Sequence, residues 1–285
     1  MSTHEKDYSY EEYVRKMHKS HKVHLDQKVG LAQMLEKVDA ENRELTREVA
    51  RQALYNPSII AGIPAYNEER TIAQMVLKAG CHVGKVLVCD DGSKDMTRVI
   101  ARENGADVLE HEKNMGYGAT MQTLLRKARE LGADVLVVFD GDGQHDPDEI
   151  PELIKPILEG RADIVIGSRF VNGARMDVPL YRRIGILVIT LLTGIFSGYP
   201  ISDAQSGFRA FNRRALEELN ITEIGWGSSV EVFFKAHHAG LRIVEVPVDC
   251  DYKDYPKASK HDPLKQGISI VASIFSHVIR EGVRL

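Results

Sequence analysis

Apolar and polar positions follow two different rhythms along this chain. Over residues 1 to about 56 the text is charged and glycine-poor. Leu31, Val38 and Leu45 recur every seven residues, and Leu35, Asn42 and Val49 form an offset row. A heptad seam with a polar residue at one core position predicts a helical, coiled-coil-like extension that fixes register and oligomeric state, so a homo-oligomer is expected. The same pattern suits a single amphipathic helix lying on the rest of the protein. Asn56-Pro57 punctuates its end.

From Ser58 onward the rhythm changes. The apolar runs Ser58–Ile63, Lys85–Cys89, Ala106–Glu110, Val135–Phe139 and Ile164–Gly167 read as strands. Between them Glu69–Lys78, Met96–Asn104, Ala119–Leu131 and Ile150–Glu159 read as helices. This alternation predicts an α/β fold over residues 57–263, a mostly parallel sheet with helices on both faces. Near the end Leu264, Ile268, Val271, Phe275 and Val278 form an apolar stripe. It predicts an amphipathic helix over residues 264–285, either packed on the body or lying at an interface.

Composition narrows the classes. With 43% apolar residues in 285, the chain can bury one large core or two smaller ones. A net charge of −4 gives no argument for nucleic acid, and no such partner is expected. Cys81, Cys89 and Cys250 lack CxxC spacing, which speaks against a disulfide framework or a zinc site and for a reducing compartment. The charged N-terminus lacks the apolar core of a signal peptide, so a cytoplasmic location is expected. Ile184 to Ile201 carries no charge, but Gly, Thr, Ser and Pro dilute it. A span needs about 20 predominantly apolar residues, so this window reads as a membrane-surface or buried helix. The basic stretch Arg15 to Lys28, with His18, His21 and His24, reads as solvated charge.

The chemistry gathers where strands end. Asp140-Gly141-Asp142-Gly143-Gln144-His145 follows the apolar run Val135–Phe139. In open α/β sheets the carboxyl edge is where ligands bind. Its carboxylates are hard oxygen ligands suited to Mg²⁺ or Mn²⁺, which keep places free for water and substrate phosphates. Pro64-Ala65-Tyr66-Asn67-Glu68-Glu69 and Asp90-Asp91-Gly92-Ser93 occupy the same place after the first two strands, suited to a nucleoside's hydroxyls and base. Asn67 and Ser93 also suit helix capping. Asn114-Met115-Gly116-Tyr117-Gly118 adds a glycine-rich helix entry, a candidate diphosphate or ribose contact.

In this order, with Gly167-Ser168-Arg169 and Ser206-Gly207-Phe208-Arg209-Ala210-Phe211 following, the motifs resemble the family 2 glycosyltransferases of GT-A fold. Within that family they look like the polyprenyl/dolichyl-phosphate sugar synthases. The resemblance covers about Ser58 to Ile279 and leaves out the first 56 residues. It implies donor contacts at Ala65, Tyr66, Glu68 and Asp91, with Pro64, Asp90, Gly116 and Gly141 completing the donor site. It implies that Asp140, Asp142 and Gln144 hold Mg²⁺ or Mn²⁺ against the diphosphate. Arg169, Arg182 and Arg183 would hold the donor diphosphate and the acceptor's phosphate. Asp203 and Gln205 would lie beside the sugar, and Glu231 at the acidic position of a helix near the acceptor. Glu231 also suits a carboxylate opposing a helix macrodipole.

The tail departs from the branch. Where many of its members carry Arg-x-x-Gly-x-Ser-Lys, this chain reads Asp251-Tyr252-Lys253-Asp254-Tyr255-Pro256-Lys257-Ala258-Ser259-Lys260-His261-Asp262-Pro263. Lys253 and Lys260 are the candidate cations there, and the text looks like archaeal lipid-phosphate transferases that use UDP-sugars. The expected enzyme is an inverting, metal-dependent transferase with Asp142, Arg169, Arg183 and Glu231 as its catalytic set. It would move a sugar from a nucleotide-sugar to dolichyl or polyprenyl phosphate, working as a peripheral protein on the cytoplasmic membrane surface. An acceptor phosphate has a second pKa of about 6 and needs cationic positioning more than a base. The rival readings are a GDP-mannose-dependent dolichyl-phosphate mannose synthase, a transferase acting on a glycan or glycolipid hydroxyl, and a non-catalytic oligomeric scaffold.

Overall fold

The computed structural model describes residues 57–171, 180–250 and 263–281, all within one compact unit, Pro57–Leu285. The heptad seam of residues 1–56 and the tail residues Lys253 and Lys260 lie outside the described residues. Seven strands form one sheet: β1 (Ile59–Ala65), β2 (Lys85–Asp90), β3 (Asp107–Glu110), β4 (Val135–Val138), β5 (Ile164–Ser168), β6 (Arg209–Asn212) and β7 (Ile243–Pro247). Their spatial order is β3-β2-β1-β4-β6-β5-β7. All neighbours are parallel except β6, which runs antiparallel to β4 and β5.

The continuous apolar runs are explained by burial on both faces. Along β4 successive side chains alternate sides: Val135 and Val137 join Ile63, Phe139 and Phe208 in one core, and Leu136 and Val138 join Leu124, Phe211 and Phe233 in the other. Helices cover both faces: α1 (Ile72–Gly80), α2 (Thr97–Glu103), α3 (Tyr117–Glu130), α4 (Ile150–Leu158), α5 (Leu180–Ser197), α6 (Arg213–Glu218), α7 (Ser228–His238) and α8 (Pro263–Glu281).

Two starts differ from the sequence expectation for local reasons. Helix α1 begins at Ile72 and not Glu69, because Asn67 adopts φ 55° and the Glu68 carbonyl takes the amides of Thr71 and Ile72 in a turn. Helix α3 begins at Tyr117, directly after Gly116 at φ 98°. Strands β6 and β7 and helix α6 had no periodic signature of their own. A four-residue strand such as Arg209–Asn212 is too short for one.

Pairing sets the edge that matters. Ala65 lies opposite Asp90, and Gly62 opposite both Leu87 and Val138, so β1, β2 and β4 deliver their following loops to one place. Beside it a smaller cluster of Ile189, Val230, Phe234, Ile270 and Ile274 fastens α5, α7 and α8 together. The buried face of α8 is therefore not the predicted stripe: Ile270 and Ile274 are buried, Val271 and Val278 pack partly against them, and Ile268 and Phe275 face solvent.

Candidate active site

A cavity of about 950 Å³ opens at this edge. It brings together Pro64, Ala65, Tyr66, Glu68, Asp91, Gly116, Asp140, Gly141, Asp142, Gln144, Arg169 and Gln205. Sequence motifs more than a hundred residues apart therefore meet because of the strand order. On its other side the cavity is walled by Gly185, Ile186, Val188 and Ile189 of α5 and by Gly267, Ile268, Ile270 and Val271 of α8.

The first two loops are mutually fixed. The Asn67 amide donates to Ser93 Oγ (2.9 Å), the Lys94 amide to Asn67 Oδ1 (2.8 Å) and the Glu68 amide to Thr97 Oγ1 (2.7 Å). Asp91 donates its amide to the Ala65 carbonyl (2.9 Å), and its carboxylate accepts the amides of Met115 and Gly116, both at 2.9 Å. This corrects two expectations. The Gly116 amide serves Asp91, and a Cβ on Gly116 would stand 2.6 Å from the Ile224 carbonyl. The Met115 and Gly116 amides are thus taken by Asp91, while Asn114, Gly116 and Tyr117 of this entry still line the cavity. Asp90 is fully buried outside the cavity lining, where it accepts the Ser93 amide (3.2 Å).

Asp140 and Asp142 stand at the end of β4. Burial, and after it the nearby Glu68 charge, pushes the Asp140 carboxyl up to about 6 against the opposing pull of Arg169 and Arg209. Gly207 is the close neighbour that makes room, since a Cβ there would lie 2.5 Å from Asp140 Oδ2. Asp142 accepts the Gln144 amide on Oδ1 (3.0 Å), which turns the loop back toward the cavity. Paired acidic groups in a partly dry site suit a divalent cation. Among the described residues no three His, Cys, Asp or Glu side chains gather as a ready-made metal site. A metal held by Asp140, Asp142 and Gln144 would be completed by substrate and water oxygens, the usual habit of Mg²⁺.

The expected acceptor residues separate. Arg169 lines the cavity but is buried, and its Nε and one terminal nitrogen bind the two oxygens of Asp203 at 2.7 and 2.8 Å. Asp203, fully buried, also accepts the amides of Arg169 and Gln205. It orients Arg169 and does not line the cavity as a partner for sugar hydroxyls. Gln205 does line it, bonded to Ser229 Oγ (3.2 Å). Arg183 is exposed on α5 and is not itself a lining residue, although Tyr181 and Gly185 on either side of it are, and Arg182 is in the same helix.

Glu231 also receives a different place. Its fully buried carboxylate accepts the Thr222 amide (2.9 and 3.0 Å), the Thr222 hydroxyl (2.6 Å) and the Glu223 amide (2.8 Å), with Lys235 at 3.1 Å. Although burial works against ionisation, the hydrogen bonds hold its pKa below the usual carboxylate range. A carboxylate so engaged is unavailable as a base. It anchors the segment whose Ile224 carbonyl meets Gly116 and accepts the Ala119 amide (3.3 Å).

Three lining residues, His145, Tyr117 and Trp226, carried no individual role in the sequence expectations. His145 is buried against Phe208, and burial followed by the Arg169 charge lowers its pKa to about 3, so the ring is neutral. Tyr117 and Trp226 stack with centroids 5.5 Å apart and planes 11° from parallel. The one available signal was that Trp226 is the sole tryptophan; the pairing needs the α3–α7 geometry.

Comparison with known proteins follows this geometry. The family described as Glycosyl transferase family 2 matches residues 60–220. The UDP-N-acetylglucosamine–dolichyl-phosphate N-acetylglucosaminyltransferase of Methanococcus voltae is 36% identical over 217 residues, 69% of this chain and 86% of that protein. The dolichyl-phosphate hexose transferase of Haloferax volcanii is 32% identical over 224 residues, 77% of this chain and 93% of that one. Among solved structures, glucosyl-3-phosphoglycerate synthase of Mycobacterium tuberculosis with Mn²⁺, UDP-glucose and phosphoglyceric acid superposes with a TM-score of 0.63 at 22% identity. It covers 80% of this chain and 81% of that one. The last likeness concerns the fold, the GT-A type of α/β sheet.

Proposed function

The chain belongs to glycosyl transferase family 2, and on that premise we propose that it moves a sugar from a UDP-sugar to the phosphate of a dolichyl or polyprenyl carrier. The observation that carries this reading is the shared cavity. One side is the polar carboxyl edge of β1, β2 and β4, and the other is a mostly apolar wall of α5 and α8, with Tyr181 and Gln266 as its polar members. A soluble glycan acceptor calls for polar side chains on that wall. Ile186, Val188, Ile189, Ile268, Ile270 and Val271 instead suit the first isoprene units behind a lipid phosphate. Gly185 and Gly267 leave width between them, since a Cβ at either would meet nothing within 4 Å. The relatives named for dolichyl-phosphate transfer support the same acceptor.

In the proposed reaction an acceptor phosphate oxygen attacks the anomeric carbon as the bond to the nucleoside diphosphate breaks, inverting the centre to a β-linked lipid phosphate. A divalent cation bound by Asp140, Asp142 and Gln144 would neutralise the leaving diphosphate. Asp203 holds Arg169 in one orientation at the cavity wall, where its positive charge would position the phosphates. Phosphate needs no proton removed at neutral pH, which agrees with Glu231 being committed to the backbone.

Association with a membrane surface follows from the outer faces of the same two helices. Ile184, Leu187, Leu191 and Ile195 of α5 and Phe275 and Ile279 of α8 are exposed and do not line the cavity. No described helix is long and apolar enough to cross a membrane. On this reading α5 and α8 rest on the cytoplasmic face, and residues 1–56 supply a homo-oligomer.

The direct test incubates the full chain with labelled UDP-sugar, Mn²⁺ and dolichyl phosphate in vesicles. Label should enter the organic phase, and Asp142→Asn should cut that transfer by at least about 100-fold. Undiminished transfer by the variant would remove the metal assignment. Label appearing on a soluble glycan instead would favour the hydroxyl-acceptor alternative.

A further inference from the structure

Asp91 lines the nucleoside end of the cavity, yet most of its acceptor capacity is already used. Its Oδ1 accepts the Met115 amide at 2.9 Å and lies 2.7 Å from His111 Nδ1, while Oδ2 accepts the Gly116 amide at 2.9 Å. An ionised carboxylate has about four lone-pair sites. Three are engaged within the protein, and the one that remains is on Oδ2.

His111 is as firmly held as its partner. Its amide donates to the Asp90 carbonyl (2.9 Å), and its ring Nε2 lies 3.0 Å from Thr123 Oγ1 and 3.7 Å from Cys89 Sγ. A carboxylate only accepts, so Nδ1 must carry a proton toward Asp91. Burial and the charges of Asp91 and Asp90 push the Cys89 thiol up to about 12, so it stays a neutral neighbour. Only 10% of the His111 side chain is exposed, and it does not line the cavity.

We infer that His111 is a positioning residue that sets the nucleobase preference, by occupying Asp91 Oδ1 and leaving one acceptor site for the base. This rests on the proposed nucleotide-sugar site and names the base and the residue behind the choice. Uracil fits, because it offers a single N3–H flanked by carbonyls. Guanine offers N1–H and the N2 amine side by side, and its second donor would meet an Oδ1 already engaged twice. Cytosine turns an N3 lone pair toward Oδ2, which leaves a buried acceptor unpaired and facing another.

Calorimetric titration of the full chain with UDP, GDP and CDP in Mn²⁺ tests this without relying on turnover. UDP should bind at least about tenfold more tightly than GDP or CDP, since a site built around one donor rejects bases that lack or exceed it. His111→Ala should lose most of the preference for UDP over GDP, because Oδ1 becomes free for the second donor. His111→Asn, whose amide can reach Oδ1, should restore it. General loosening lowers both affinities and leaves their ratio alone, so the ratio is the readout. Should His111→Ala fail to fold, Thr123→Val releases the far ring nitrogen and should narrow the ratio in the same direction. Equal wild-type affinity for UDP and GDP, or a ratio unmoved in every variant, would overturn the inference. Transfer assays separate it from the acceptor assignment. Transfer from a GDP-sugar contradicts the base choice alone, while UDP selectivity without lipid product contradicts the acceptor alone.

Discussion

The two sides of the cavity are built on opposite principles. Asp91 at the strand edge, and Asp203 and the α7 residue Glu231 behind the lining, are 3% exposed or less, and each carboxylate is held by backbone amides. Across the opening, large side chains on α5 and α8 stand in water, with Tyr181 65% and Ile268 64% exposed. A buried charge costs several kcal/mol unless hydrogen-bonded, so the polar side must be assembled before any ligand arrives. The apolar wall bears the reverse cost, about 25 cal/mol for each Å² left in water, until something covers it. The polar half is thus preorganised by the protein, and the apolar half is left for its surroundings to complete.

Breaking the polar half should have the larger effect. Glu231→Gln puts an amide N–H₂ against the Thr222 and Glu223 amides and removes the ion pair with Lys235. We expect a loss of about 3 kcal/mol in denaturant unfolding, in the range for stripping one partner from a buried charged cluster. Because the Glu231 pKa is depressed in the folded protein, its contribution is present above the ordinary carboxylate range and is lost as pH falls through the folded value. The difference between wild type and variant should therefore shrink on acidification. A variant as stable as wild type at pH 7 would show that the Thr222–Glu223 anchor is dispensable.

The apolar half predicts a milder and separable defect. Leu191 and Ile195 are exposed and do not line the cavity. Replacing both by Asp should leave folding within about 0.5 kcal/mol, as for other surface substitutions. Co-sedimentation with phosphatidylglycerol vesicles should fall about tenfold, with UDP affinity unchanged. Equal sedimentation of the two proteins would mean that this stripe meets something other than a bilayer.

The same contrast explains what the sequence disclosed. Buried strands announce themselves as unbroken apolar runs, so β1, β2, β4 and β5 and the loops after β1, β2 and β4 were legible, while the half-exposed edge strand β3 was read from the alternation of elements. Asp140, Asp142 and Tyr66 were legible because polar residues directly after such runs have few other places to go. The partners were not. Nothing local in Asp203 or Glu231 tells a cavity ligand from a buried clamp, because the bonds run to Arg169, Thr222 and Glu223 across folds of the chain. Nor does spacing reveal that β6 is antiparallel, although that reversal brings Gly207 against Asp140.

Glu149 gives the smallest and most specific test of how far the polar half tolerates an unneutralised charge. Its carboxylate accepts the Asp249 amide at 3.0 and 3.3 Å just past β7. Burial pushes its pKa up to about 7, the Asp249 amide pulls the other way, and the charges of Asp249 and Asp146 add to the rise. A folded pKa above the unfolded value of about 4.3 means that the native state binds the extra proton over this interval. The associated stability is fully present below the unfolded value and is lost as pH rises through about 7. Glu149→Gln keeps an acceptor for the amide and never ionises. Its Tm should match wild type near pH 4.5 and exceed it by a few degrees at pH 8, with the gap opening between those limits. A gap constant across that range would mean that Glu149 is ionised in the folded protein at every pH tested, with its charge already offset by its surroundings.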